Sequence, residues 1–221
     1  MNISIITPAP PRTRHGNRVT ALRWARILKS LGHRVVIAGR YEGQPCDLLV
    51  ALHARRSHPS IRRFHREHPD RPLVVALTGT DLYRDLKTSG QAWQSLELAT
   101  RIVALQPKAL DELPPHLRHK TRVIYQSVPP VSIRNPQSAI RNHFKVCVVG
   151  HLRAVKDPFR AAMASRLLPV SSRIRIMHVG RAMTEAMARR AEREMEINPR
   201  YQWLGELPQA RARRILAGSD L

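Results

Sequence analysis

Short runs rich in Val, Ile and Leu recur from Ile3 onward and alternate with segments of helical period, the pattern of βα units around a parallel sheet. The apolar runs predict strands near 2–7, 34–39, 47–53, 72–78, 101–106 and 122–126. Between the first two, Trp24, Ile27, Leu28 and Leu31 fall at i, i+3, i+4 and i+7. That spacing predicts a helix with Arg23, Arg26 and Lys29 or Ser30 toward water. Gly32 is placed to stop it, because the residue after a helix takes a left-handed backbone that glycine adopts without steric cost.

Residues 129–143, PPVSIRNPQSAIRNH, break the periodicity with prolines and polar side chains and read as a linker between domains 1–128 and 144–221. The rhythm then restarts with FKVCVVG at 144–150, a helix from about 157 to 167 and RIRIMHVG at 173–180. A helix near 182–196, YQWLG at 201–205 and PQARARRILAGSDL complete the second unit. The fold class is therefore α/β, with two Rossmann-like doubly wound parallel-sheet domains. The second shows about three strands where such a sheet usually has five or six. It is expected to be incomplete, by roughly a hundred residues at typical domain size.

Composition changes this picture little. The 221 residues are 43% hydrophobic, ordinary for globular protein. No apolar run of about 18 residues occurs, and MNISIITPAPP lacks the basic start and long apolar stretch of a signal peptide, so a soluble, cytoplasmic protein without membrane partners is expected. Cys46 and Cys147 lie at or inside strand-like segments with no metal spacing, which argues against a disulfide framework. Charge adds more, since 38 Lys+Arg against 16 Asp+Glu give +22, a field that attracts anions. Aromatics are only 5%, the basic residues are scattered through helices, and no nucleic-acid signature appears, so nucleic acid is not expected as a partner. Much of the excess reads as solvated helix faces and the rest as a means to bind phosphorylated substrates.

The first βα connection, PAPPRTRHGNRVT, has a single glycine and so lacks the GxGxxG of dinucleotide sites. It offers Gly16 and Asn17 at a helix start, where free N–H groups suit an anion, with Arg12, Arg14, His15 and Arg18 around them. A flexible solvated loop with a helix cap is the alternative. The third strand ends in HARRSH, placing His53, Arg55 and Arg56 at a carboxyl end, where α/β folds bind ligands. The fourth ends in TGTD: Thr78 and Asp81 are candidate catalytic residues, Gly79 and Thr80 candidate acceptor-binding ones, with an ordinary turn and cap as the alternative. GHLRAVKDP follows the first strand of the second unit and opens a helix, so that Gly150, His151, Arg153 and Lys156 are candidates to bracket a diphosphate. Gly180, Gly205 and Glu206 repeat the strand-then-glycine theme. His65/His68 and His116/His119 have i, i+3 spacing but no third ligand nearby, so no metal and no cofactor is expected. Trp24, Trp93 and Trp203 read as core.

The order of strand, glycine loop and helix, TGTD, linker, GHLRAVKDP, HVG, WLGEL and AGSDL resembles the GT-B fold glycosyltransferases of family 4. In that family the first domain holds the acceptor and the second the nucleotide-sugar. The usual Gly-Arg-Leu and later Lys are matched by Gly150, His151, Leu152 and Lys156, so Lys156 inherits the diphosphate role and Arg153 stands near the replaced arginine. Many members carry His-Gly-Thr-Asp, and here Thr78 takes the histidine's place. The blocks NRVTALRWARILKSLGHRV, DLLVALHARRSH, RPLVVALTGTDLYRD, SLELATRIVALQP, VIYQSV and GHLRAVKDPFRAA look like the branch assigned to selenosugar synthesis in selenoneine biosynthesis. The resemblance implies transfer of a sugar from UDP-N-acetylglucosamine or UDP-glucose onto the selenium of selenophosphate. An anionic selenium nucleophile needs no base to remove a proton, which fits the lost histidine. The family's glutamate-containing donor motif should lie just beyond AGSDL, so the 221-residue chain alone is expected to be inactive. A family 4 transferase with a sugar or lipid acceptor is one alternative, and a non-enzymatic anion- or nucleic-acid-binding protein is another.

Overall fold

The computed structural model describes residues 1–13, 15–128 and 143–221. Arg14 and the linker expected at 129–143, apart from its last residue, lie outside the described residues. The chain divides into two compact units, Met1–Val128 and Pro129–Leu221.

In the first unit six parallel strands, β1 (Asn2–Ile6), β2 (Arg34–Ala38), β3 (Leu48–Leu52), β4 (Leu73–Ala76), β5 (Arg101–Ala104) and β6 (Thr121–Val123), lie in the order β2-β1-β3-β4-β5-β6. The six apolar runs became these strands because a sheet covered on both faces needs apolar side chains on both sides of each strand. Leu49 and Ala51 enter the core beneath α2 (His58–Glu67) and α4 (Gly90–Leu98) with Ile61, Phe64 and Leu96. Their neighbours Val50 and Leu52 join the opposite core with Ile3, Ile5, Ala21 and Ala25 of α1 (Gly16–Ser30).

The inner face of α1 differs from the expected one. Thr20, Ala21 and Ala25 are its buried residues, Trp24 and Leu28 pack partly buried against that core, and Leu31 is 66% exposed. Small side chains let the helix approach the sheet closely. Leu31 lies past the last helical turn, where Gly32 (φ 85°) donates to the Lys29 carbonyl and His33 to that of Leu28, a paired closure that ends the helix.

The second unit contains β7 (Phe144–Val149), β8 (Ile174–Val179) and β9 (Tyr201–Trp203), parallel and in that order. The free edge of β7 is met by Asp220 and Leu221, which exchange backbone bonds with Lys145 and Cys147. Leu152, Phe159, Ala162, Ile176, Ala191 and Tyr201 form the core between the sheet, α6 (Arg160–Arg166) and α7 (Glu185–Ile197). α6 starts later than the expected residue 157: Ala154–Lys156 make a single 3-10 turn, and Asp157 takes a left-handed backbone (φ 44°). Pro158 explains the delay, because it disfavours a helical conformation in the residue before it. Arg153 and Lys156 thus sit on a tight turn and not on the first turn of a helix. α8 (Gln209–Ala217) packs against β7. Among the described residues no helix is long and apolar enough to cross a membrane.

Candidate functional site

Strand order decides where loops meet. In the first sheet the chain runs from β1 to β2 on one side and returns to β3 on the other, so the connections after β1 and β3 leave adjacent strands in opposite directions. Such a switch point opens a crevice at the carboxyl ends, the usual ligand position in open α/β sheets. One wall is the start of α1, where His15 caps with no side-chain bond and no acidic residue occupies the first turn. Gly16 and Asn17 therefore present N–H groups and the positive end of the helix dipole. Arg12 has a left-handed backbone (φ 63°) in this loop, and the buried Arg18 Nε has no hydrogen-bond partner.

The other wall begins at His53, a non-glycine residue at φ 77°. His53 is 2% exposed; its Nδ1 accepts from the Arg56 N–H at 3.3 Å, and its Nε2 has no hydrogen-bond partner. Arg55 donates from Nε to Asp85 Oδ2 at 2.7 Å, on the β4 side, while Arg56 is exposed. Asp81 is fully buried. Its Oδ2 accepts from the Ala54 N–H at 3.0 Å and its Oδ1 from the Thr78 N–H at 2.8 Å, tying the loops after β3 and β4 together. With both oxygens so engaged, Asp81 positions backbone, and Thr78, Gly79 (φ 110°) and the exposed Thr80 form the accessible part of TGTD.

In the second unit β7 has β8 on one side and Asp220–Leu221 on the other; the chain runs from β7 to β8 and β9 and returns past β7, so the loop after β7 occupies the corresponding switch point. A side chain added at Gly150 would meet Lys156 Cδ and Nζ at 3.9 Å, so the lysine arches over this glycine. Neither Lys156 nor Arg153 has a side-chain hydrogen bond among the described residues, whereas Arg160 is held by Asp157. His151 Nδ1 accepts from the Arg181 N–H at 3.1 Å. Gly180 packs directly on the Gly150 carbonyl, its N–H donates to Gly205 at 2.8 Å, and its carbonyl accepts from Trp203 Nε1 at 2.8 Å. Glu206 follows on the same edge. Lys156, Arg153, Gly150 and Gly180 are thereby placed around one loop.

The sequence reading missed His178, Asp85 and Arg84. His178, 1% exposed, bridges the Tyr201 hydroxyl (3.0 Å) and the Gly150 carbonyl (3.1 Å), a tie between strand and loop visible beforehand only as the residue two before Gly180. Arg84 and Asp85 follow TGTD directly, and that adjacency was the available signal. Of the histidines at i, i+3 spacing, His68 meets the Tyr41 hydroxyl and His116 pairs with Glu97.

Burial lowers the pKa of His53, His58 and His178 below the ordinary 6.5, against the opposing pull of Asp81 and Asp85 on His53. The unfolded chain then takes up protons first, so stability is complete above the ordinary value and is lost as pH falls through it toward the folded values. The urea midpoint is expected to drop between about pH 7.5 and 5.5. A midpoint that is flat or rises on acidification would contradict neutral burial of these rings.

No protein-family profile and no curated protein matches the chain. Solved structures do. HepE of Anabaena, crystallised with UDP, superposes with a TM-score of 0.65 at 15% identity over 98% of this chain and 71% of its own. Its UDP-glucose complex gives 0.58 at 15% identity, over 94% and 70% of the two chains. The lipopolysaccharide outer core galactosyltransferase WaaB gives 0.56 at 13%, over 99% and 72%. MurG of Acinetobacter baumannii gives 0.51 at 12%, over 96% and 68%. These likenesses show the fold: α/β with parallel sheets, of the GT-B type.

Proposed function

We propose that the protein is a glycosyltransferase that moves a sugar from UDP-N-acetylglucosamine or UDP-glucose onto the selenium of selenophosphate. The observation that carries the donor half is the second unit's switch-point loop, where Lys156 arches over Gly150 and Arg153, three residues before Lys156, has no side-chain hydrogen bond among the described residues. Such a loop suits a diphosphate, and HepE, of the same fold, was solved with UDP and with UDP-glucose. Arg153 and Lys156 stabilise the charge that gathers on the departing UDP as the bond from the anomeric carbon to the diphosphate oxygen breaks. Selenium supplies the electron pair for the new bond to that carbon. Hydrolysis of the selenium–phosphorus bond then releases phosphate and leaves a 1-selenosugar. Thr78 in place of the family's histidine supports an acceptor that needs no proton removed. Gly16, Asn17, Arg18, Arg55 and Arg56 are the cationic and N–H groups offered to the acceptor, with His53, Gly79 and Thr80 beside them.

Lys156→Ala is expected to weaken UDP binding about 10- to 100-fold, because a charge-assisted hydrogen bond contributes roughly 1.5–3 kcal/mol. Calorimetric titration reads it, and equal affinities would remove Lys156 from the diphosphate. The acceptor is tested by mass spectrometry of reactions containing UDP-sugar, selenophosphate and a form of the protein extended through the expected glutamate-containing donor motif. Formation of a selenosugar supports the reading. If UDP binds and sugar passes only to a hydroxyl acceptor, the conventional family 4 alternative holds.

A further inference from the structure

We infer that the first unit carries a phosphate-class anion site of its own, built by Arg55, Arg84 and the start of α4 and organised by Asp85. An open cleft of about 550 Å³ is lined by Arg55, Arg84, Asp85, Thr88, Ser89 and Gly90 with Gln91. Asp85 forms its floor, with a side chain 5% exposed. Arg55 Nε donates to Oδ2 at 2.7 Å and Arg84 Nε to Oδ1 at 3.2 Å. Each guanidinium spends only Nε in this way, and the terminal nitrogens of both have no hydrogen bond among the described residues. One buried carboxylate therefore orients two guanidinium groups and leaves four nitrogens free. Burial works against ionisation of Asp85, but the bonds from Arg55 and Arg84 outweigh it and hold the carboxyl below its ordinary value.

The charges sum to a net positive site, to which α4 adds its amino end. Ser89 caps the helix by accepting from Ala92, so its own hydroxyl proton is free to donate. No acidic side chain occupies the first turn, and the N–H groups of Gly90 and Gln91 make no backbone bond there. Two forks, hydroxyl donors and N–H groups around one cleft match a tetrahedral oxyanion better than a planar carboxylate, because donors arrive from several directions.

His53 backs the floor of the cleft from behind Asp85, outside its lining. It is 2% exposed and held at φ 77°, with Nε2 unpartnered and 3.8 Å from Asp85 Oδ2. A neutral imidazole behind the carboxylate leaves the charge of Asp85 to the two arginines. His53 and Asp85 are thus positioning residues, and Arg55 and Arg84 are the groups that touch the anion. On the proposed glycosyl transfer, on which this last assignment rests, the site would take the phosphoryl group of the acceptor.

Inorganic phosphate is the probe, followed through the backbone amide resonances of the intact chain. Saturable shifts are expected at Gly90 and Gln91. Arg84→Gln, at an exposed position, is expected to weaken them about tenfold, with Arg84→Lys intermediate because a point charge replaces a fork. UDP affinity should be unchanged in both variants. Absence of saturation at Gly90 and Gln91, or equal affinity in Arg84→Gln, overturns the site. Shifts spread over the basic surface would mark diffuse attraction by the +22 charge and would overturn it equally. If UDP displaces phosphate from these amides, the phosphoryl source is the nucleotide and the acceptor assignment fails. Because donor binding is measured separately on Lys156, loss of this site leaves the glycosyltransferase reading to its own test.

Discussion

Asp81→Asn is expected to destabilise the first unit by about 3–5 kcal/mol, a large share of the stability of an ordinary domain. The carboxylate is fully buried and receives the Ala54 N–H at 3.0 Å and the Thr78 N–H at 2.8 Å on different oxygens. An asparagine presents one oxygen and one amide group, so whichever way it turns, one backbone N–H faces another donor. Two costs combine. The charge-assisted bonds weaken, and a buried N–H is left unsatisfied, each worth roughly 1–3 kcal/mol. Ala54 follows the left-handed His53, so the damage reaches the segment that aims Arg55. Urea unfolding should show an early transition for the first unit, while the second unit keeps its midpoint and its affinity for UDP. Coincident curves for the variant and the parent would show that Asp81 is no anchor.

Gly180→Ala is the second large effect, in the other unit. A methyl group there would overlap the Gly150 carbonyl and lie 2.9 Å from the His151 nitrogen, all of it backbone that cannot swing aside. Overpacking typically costs about 1–3 kcal/mol, and rigid neighbours put this site at the upper end. The same shift displaces Gly150 from His178 Nε2, at 3.1 Å in the parent, and moves the loop that carries Lys156. Lower thermal stability and a loss of UDP affinity of at least tenfold are therefore expected together. Gly205→Ala is the control, since nothing lies within 4 Å of its added methyl although φ is +68°. Its cost is the left-handed backbone alone, about 1–2 kcal/mol. If Gly180→Ala is no worse than Gly205→Ala, contact with Gly150 is not what requires glycine.

The alternation of apolar runs and helical periods located the nine strands among the described residues to within a few residues, because short Val- and Ile-rich runs bounded by turn residues suit strands of a covered sheet. Local signals were sufficient where the cause is local: Gly32 stops α1 through its own backbone. The inner face of α1 was misread where packing outranked hydrophobicity, since Ala21 and Ala25 meet the sheet and Leu31 stays in water. The candidate residues were legible as cations and glycines at strand ends, but their partners were not. Arg55 and Asp85 are 30 residues apart, Ala54 and Asp81 are 27, and Gly150 and His178 are 28. Those separations carry no periodicity. They close only because β3 lies beside β4 and β7 beside β8, an order that side-chain pattern along one strand does not encode. Tertiary structure alone decided that Asp81 turns inward to hold two loops while Asp85, four residues on, gathers two arginines at the rim.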